Sequence, residues 1–143
     1  MTINDMHYLI DTNIFLFYIS DSHFLDEKVR EITEDYENQI YISSESVKEV
    51  IHLFQTEKIK TKKWKTSLDI LNSIENELGF TIDYVKNEHL RTYASLLRVE
   101  NHIDPTDRLI IAQAITEKIP LIINDRKFEH YRRQKLQFIY NQK

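Results

Sequence analysis

The sequence predicts an α/β fold, with a central, mainly parallel sheet of about five strands and helices on both faces. Short apolar runs such as Tyr8-Leu9-Ile10 and Leu121-Ile122-Ile123 lack period-two alternation, as parallel strands covered on both sides do. Those runs alternate with stretches whose apolar residues recur at helical spacing. Two of the runs end on an acid: Asp11 follows the first, and Asp125 lies just past the last-named. In parallel sheets ligands bind beyond the carboxyl ends of the strands.

In chain order, His7 to Asp11 reads as the first strand, with Asn13 a candidate cap for the first helix. Asp26 to Asn38 reads as a helix with Val29, Ile32 and Tyr36 on one face. Ile40 to Ser43 is the second strand. Ser44 to Gln55 is a helix with Val47, Val50, Ile51 and Phe54 spaced for one face, and Ser43 and Ser46 are its cap candidates. A longer helix is expected over Thr61 to Leu78, stopped by Gly79. Phe80 to Val85 is the third strand and Glu88 to Asn101 the next helix. Asp104-Pro105 opens a helix that Pro120 stops. Leu121 to Asn124 and Leu136 to Tyr140 are the last strands, with a short helix over Arg126 to Tyr131 between them. No linker or repeat interrupts the 143 residues, so one domain spanning 1–143 is expected.

Composition removes several chemistries. Zero cysteines excludes disulfides, thiolate metal sites and cysteine nucleophiles. A single glycine, Gly79, excludes P-loop and dinucleotide-binding loops, which need several. The six histidines form no H-x-x-x-H pair; they read as surface or hydrogen-bonded boundary residues, with His102 nearest in sequence to the acids discussed below. No apolar stretch is long enough to cross a bilayer and no secretion signal opens the chain, so no membrane partner and a cytoplasmic location are expected.

Carboxylates remain. Asp11 and Asp125 follow apolar runs, and Asp107 precedes Leu109-Ile110-Ile111. Acids at the mouth of a core are costly to desolvate and repel one another, so a divalent cation is the simplest partner. Glu49 joins them from the start of the helix after the second strand, with Glu45, nearer the cap, as its competitor. Asp104 and Asp107 also suit a helix start, as N-cap and N3 residues. Gln113, inside an apolar helix, is read as a backbone ligand across the core.

The segments YLIDTNIFLFY, SSESVKE, DPTDRLIIAQAITEKIPLI and INDRKFEHY together resemble the PIN-domain family, which includes the VapC-like toxins of type II toxin–antitoxin modules. That resemblance implies a three-layer α/β/α sandwich and a Mg²⁺- or Mn²⁺-dependent ribonuclease. The family's acidic positions fall on Asp11, Glu49, Asp107 and Asp125; Asp11 and Asp107 are expected as direct metal ligands, with Asp125 and Glu49 binding a second ion or orienting water. Asn13 and Asp104 match polar positions beside the site. Ile123-Asn124 departs from the family, which commonly has Ser or Thr before the last Asp; Asn124 either replaces that hydroxyl or weakens the outer site. Hard oxygen ligands suit Mg²⁺ or Mn²⁺, and either ion makes a bound water easier to deprotonate.

RNA is the expected substrate, and an antitoxin protein and a second copy of the chain are expected partners. Arg108, Arg126, Lys127, Arg132 and Arg133 are candidate RNA contacts, though Arg108 equally suits an acid or the helix surface. The stretch KIKTKKWK, with Lys58, Lys60, Lys62, Lys63 and Lys65 around Trp64, reads as a solvated face or an RNA track. The net charge of −4 argues against general polyanion binding. Phe15, Phe17, Tyr18, Phe24 and Phe54 are expected mostly in the core, a few forming a docking patch. Two alternatives stand beside the nuclease: a non-catalytic PIN-like module that binds RNA or protein, and an aspartyl-phosphate-forming phosphatase. The second needs an acid two positions after Asp11, where this chain has Asn13.

Overall fold

The computed structural model describes residues 6–20, 22–59, 61–99 and 104–142. Lys60, His102 and the end of the helix expected to reach Asn101 lie outside the described residues. The five expected strands are present: β1 (His7–Ile10), β2 (Gln39–Ser43), β3 (Thr81–Asp83), β4 (Leu121–Ile123) and β5 (Phe138–Tyr140). They form one parallel sheet in the order β3-β2-β1-β4-β5. The chain winds outward from β1 to one edge, then returns to β1's other side for β4. The winding direction therefore reverses between β1 and β4, at the centre of the sheet.

Residue alternation divides the core into two layers. Tyr8, Ile10, Ile42 and Ile122 face a cluster built with Ile14, Phe15, Val29, Val47, Val50 and Ile70. Leu9, Leu121 and Ile123 face the opposite cluster, with Ile110, Ile111, Ala114, Phe128 and Tyr131. The first is covered by α1 (Thr12–Ser20), α2 (Glu27–Glu34), α3 (Ser44–Gln55) and α4 (Ser67–Asn72). On the other side lie α5 (Asn87–Ser95) and α6 (Pro105–Glu117), which pack on each other. The result is the expected α/β/α sandwich.

Several boundaries differ for local reasons. Asp11, not Asn13, caps α1: its Oδ1 accepts the Ile14 N–H at 2.8 Å. Ser43, not Ser46, caps α3. The helix expected over 61–78 begins only at Ser67, where Thr66 and Asp69 form a reciprocal capping box. Upstream, Thr61 Oγ1 accepts the Lys63 N–H, and buried Trp64 packs edge-on against Phe54, so residues 61–65 of KIKTKKWK are a tethered loop and not a helix face. After α4 the chain loosens into a π turn over Ser73–Glu77. α2 stops at Asp35, and α5 at Leu96, which turns extended and goes into the core. The short helix after β4 is a 3-10 segment, Arg126–Gln134, longer than expected.

Gly79 ends the π turn in the left-handed region, at φ +69°. A Cβ there would meet nothing within 4 Å, so only the backbone would resist a side chain. Gly79→Ala should therefore cost about 1–2 kcal/mol, with no cavity or clash contribution. Chemical denaturation checks this, and an unchanged unfolding midpoint would contradict it.

Candidate active site

Where the winding reverses, the carboxyl ends of β1 and β4 open a hollow of about 150 Å³. It is lined by Asp11, Thr12, Asn13, Glu49, Asp104, Asp107, Asp125 and Phe128. Five of these eight are acids, drawn from the ends of β1 and β4, from α3 and from the start of α6.

Each acid is placed by local physics. Asp11 is 4% exposed, and both its oxygens are held by backbone: Oδ1 by the Ile14 N–H at 2.8 Å and Oδ2 by the Asn124 N–H at 3.2 Å. Asp104 caps α6 by accepting the Thr106 and Asp107 N–H groups, which sets Asp107 at N3 of a Pro-started helix. Asp125 caps the 3-10 segment through the Lys127 N–H at 2.9 Å. Glu49 reaches the hollow from the second turn of α3, whereas Glu45 pairs with Lys48 at 3.1 Å. Thr12 Oγ1 donates to buried Ser46 Oγ at 2.9 Å, which ties α1 to α3 in the wall.

Burial pushes the Asp11 carboxyl up to about 7, against the two backbone hydrogen bonds; the charges of Asp107 and Asp125 push it further the same way. The donor set is hard carboxylate oxygen throughout, which fits Mg²⁺ or Mn²⁺. A cation in the hollow would offset both the desolvation of Asp11 and the repulsion it meets.

Other expected residues lie elsewhere. Asn124 lends the site its backbone N–H, and its side-chain Oδ1 accepts from Asn141 Nδ2 at 3.0 Å. The Arg108 guanidinium is engaged by Leu96 O at 3.3 Å and by the Tyr93 ring at 5.2 Å. Arg126 and Arg132 lie over Tyr140 and Phe138, in a separate groove of about 780 Å³ between α2 and β5. Lys127 and Arg133 are exposed. Phe15 is core, while Phe17 stacks on half-exposed Phe24 at 5.1 Å. Sequence reasoning missed Thr12 and Phe128 as wall residues, and Ser46 as the partner of Thr12. Thr12 carried a signal, since it follows Asp11 directly.

A second cluster, Asp83, His89 and Glu117, brings ligand-type atoms within 4.8 Å of one another. Its hydrogen bonds fix it as a proton-sharing tie. His89 is fully buried, and its Nδ1 accepts the Lys86 N–H at 2.9 Å. The ring proton of neutral His89 therefore sits on Nε2 and donates to Glu117 at 2.8 Å, filling the lone pair a metal would need. Burial pushes Asp83 up to about 8, aided by its hydrogen bond to Glu117 and that group's charge. Glu117, the more exposed of the two, stays ionised. Gln113 donates to Asp83 O at 2.8 Å, the backbone contact across the core expected of it.

A family model for the PIN domain matches residues 8–134. The chain is similar in structure to VapBC2 from Rickettsia felis, solved bound to a DNA fragment from its promoter. The two are 24% identical over 94% of this chain and 98% of that one, with a TM-score of 0.64. DNA-bound VapBC from Salmonella typhimurium gives 18% identity, the same coverages and a TM-score of 0.66. FitAcB from Neisseria gonorrhoeae gives 16%, covering 92% and 96%, with a TM-score of 0.61. At these identities the likeness shows a shared fold. No curated protein matches the chain.

The folded protein binds the Asp83 proton more tightly than the unfolded chain does, so this group's contribution to stability falls as pH rises from about 4 through about 8. Asp83→Asn mimics the protonated acid. It should raise stability modestly at pH 5, where the loss has already begun, and by on the order of 1–3 kcal/mol more at pH 9 than at pH 5, relative to the parent. Denaturant titration at both pH values checks the difference, and an equal gap at pH 5 and 9 contradicts it.

Proposed function

We propose that this chain, which belongs to the PIN-domain family, is a metal-dependent endoribonuclease and the toxin of a toxin–antitoxin pair. The PIN family is one of nucleases. The observation that carries the reading here is the hollow itself, where acids from distant segments surround a buried Asp11 whose carboxyl is pushed up to about 7.

A bound Mg²⁺ or Mn²⁺ supplies a water acidic enough to deprotonate near neutral pH and offsets the charge that builds on the phosphodiester. Asp11, Asp107 and Asp125 would hold the ion. The backbone N–H groups of Ile14 and Asn124 fix the Asp11 carboxylate, so that its rotation is lost before the ion arrives. Glu49, from the α3 side, orients the attacking water and takes its proton. Asn13 and Asp104 add polar contacts at the site. Exposed Lys127 and Arg133, with Arg126 and Arg132 in the neighbouring groove, carry the RNA backbone.

The toxin reading is supported by structural neighbours described as a toxin–antitoxin complex and as a member of the VapBC family of toxin–antitoxin systems. It brings an antitoxin and a second copy of this chain as partners, and exposed aromatics such as Phe24 suit either contact. No helix among the described residues is long and apolar enough to cross a membrane, and a cytoplasmic toxin is consistent with that.

Purified Asp107→Asn protein should retain its circular dichroism spectrum and lose Mg²⁺/Mn²⁺-dependent cleavage of RNA. Glu49→Gln should slow cleavage about 10²–10⁴-fold with the metal still bound. Undiminished cleavage by Asp107→Asn would remove this assignment.

A further inference from the structure

Asn141 lies just past β5, fully buried, with its side-chain amide and its backbone N–H engaged. Its Nδ2 donates to Phe24 O at 2.7 Å and to Asn124 Oδ1 at 3.0 Å. Its Oδ1 accepts the Asp26 N–H at 2.7 Å, and its own N–H donates to Ile123 O at 2.8 Å. Asn124 completes the line by donating its N–H to Asp11 Oδ2 at 3.2 Å.

We propose that Asn141 is a positioning residue for the carboxylate hollow: acting through Asn124, it keeps the Asn124 N–H on Asp11 Oδ2 and so sets the orientation of that carboxylate. The inference rests on the reading of the hollow as a divalent-cation site.

The two oxygens of Asp11 are anchored differently. Oδ1 is held by Ile14, three residues along the same helix start, and follows β1 and α1 wherever they go. Oδ2 is held by a residue 113 positions away, just past the end of β4. That end carries Ile123 and Asn124, and Asn141 bonds to both of them. With both anchors the carboxylate plane is fixed; with Oδ1 alone it rotates about its own Cβ–Cγ bond. Hydrogen bonds one step removed from a metal typically change its affinity about 10–100-fold. The same contacts explain why Asn stands at 124. An Oδ1 there meets the Asn141 amide, which the shorter hydroxyl of the family pattern would not reach in the same way.

A purely structural clip is the competing role, because Asn141 also fastens the C-terminal strand to α2. Asp26 separates the two. It caps α2 through the Val29 N–H and accepts the Gln142 N–H, belonging to the same clip without touching Asn124.

The test is Mn²⁺ titration calorimetry on the full chain, well below each variant's Tm. The variants are Asn141→Ala, Asn124→Ala, the double variant and Asp26→Ala. Asn141→Ala and Asn124→Ala should each weaken Mn²⁺ binding about 10-fold, with the double variant no weaker than either single. Asp26→Ala removes only the side chain and keeps the backbone N–H that Asn141 Oδ1 accepts, so it should lower Tm and leave Mn²⁺ affinity within about two-fold. If Asn141→Ala does not fold, the Asn124→Ala and Asp26→Ala pair still decides. The proposal is overturned by unchanged Mn²⁺ affinity in Asn124→Ala, by additive losses in the double variant, or by an Asp26→Ala loss equal to that of Asn124→Ala. Failure of the parent protein to bind Mn²⁺ is a different result: it removes the metal reading of the hollow, and this inference with it.

Discussion

The structure depends on one costly placement, the burial of the Asp11 carboxylate at the end of the central strand. Left alone, a carboxylate so deeply buried would protonate or unfold its surroundings. Here it is made tolerable from three directions. Its Oδ1 starts α1, its Oδ2 joins β1 to the end of β4, and its raised pKa lets it carry a proton near neutral pH. The reversal of winding between β1 and β4 supplies the space, since the chain leaves β1 towards one face of the sheet, through Ile14 and Phe15, and β4 towards the other, through Phe128 and Tyr131.

The neighbouring acids use a related device. Asp104 and Asp125 each cap a helical segment, and Asp107 occupies the first turn of α6. Backbone N–H groups at helix starts attract carboxylates, each contributing ~0.3–1 kcal/mol. Several helix starts converging on one hollow therefore stabilise a concentration of negative charge that the side chains alone would oppose. The compensation is incomplete, because Asp107 and Asp125 still raise the Asp11 pKa. A cation fits that residual repulsion. The same acids thus begin helices in the fold and, in the proposed site, would offer oxygen to an ion.

Much of this was legible because the strands announce their own ends. An apolar run closed by an aspartate marks both a strand and the place where a ligand meets a parallel sheet, and β1 and β4 both have that form. The choice between Glu45 and Glu49 was not legible: both lie early in α3, and only the helix phase sends one to Lys48 and the other to the hollow. Long-range polar pairs were equally hidden. Nothing local marks Asn141 as buried, because its partners are Phe24, Asp26 and Asn124. The Asp83–His89–Glu117 tie joins β3, α5 and α6 and has no short-range signature. Arginines near the site in sequence were drawn to rings and carbonyls that only the fold brings close. Over residues 61–66, side-chain bonding by Thr61 and Thr66 and the burial of Trp64 overrode helical periodicity.

The central claim, that a protonatable buried Asp11 awaits a divalent cation, is tested most directly by counting protons. Mn²⁺ binding is measured calorimetrically at pH 6 and pH 8.5 in buffers of different ionisation enthalpy. With the Asp11 carboxyl near 7, the ion must displace its proton at pH 6 and finds it already gone at pH 8.5. About one proton released per Mn²⁺ at pH 6, falling towards none at pH 8.5, is the expected result. Binding with no proton release at pH 6, or with the same release at both values, would contradict the account.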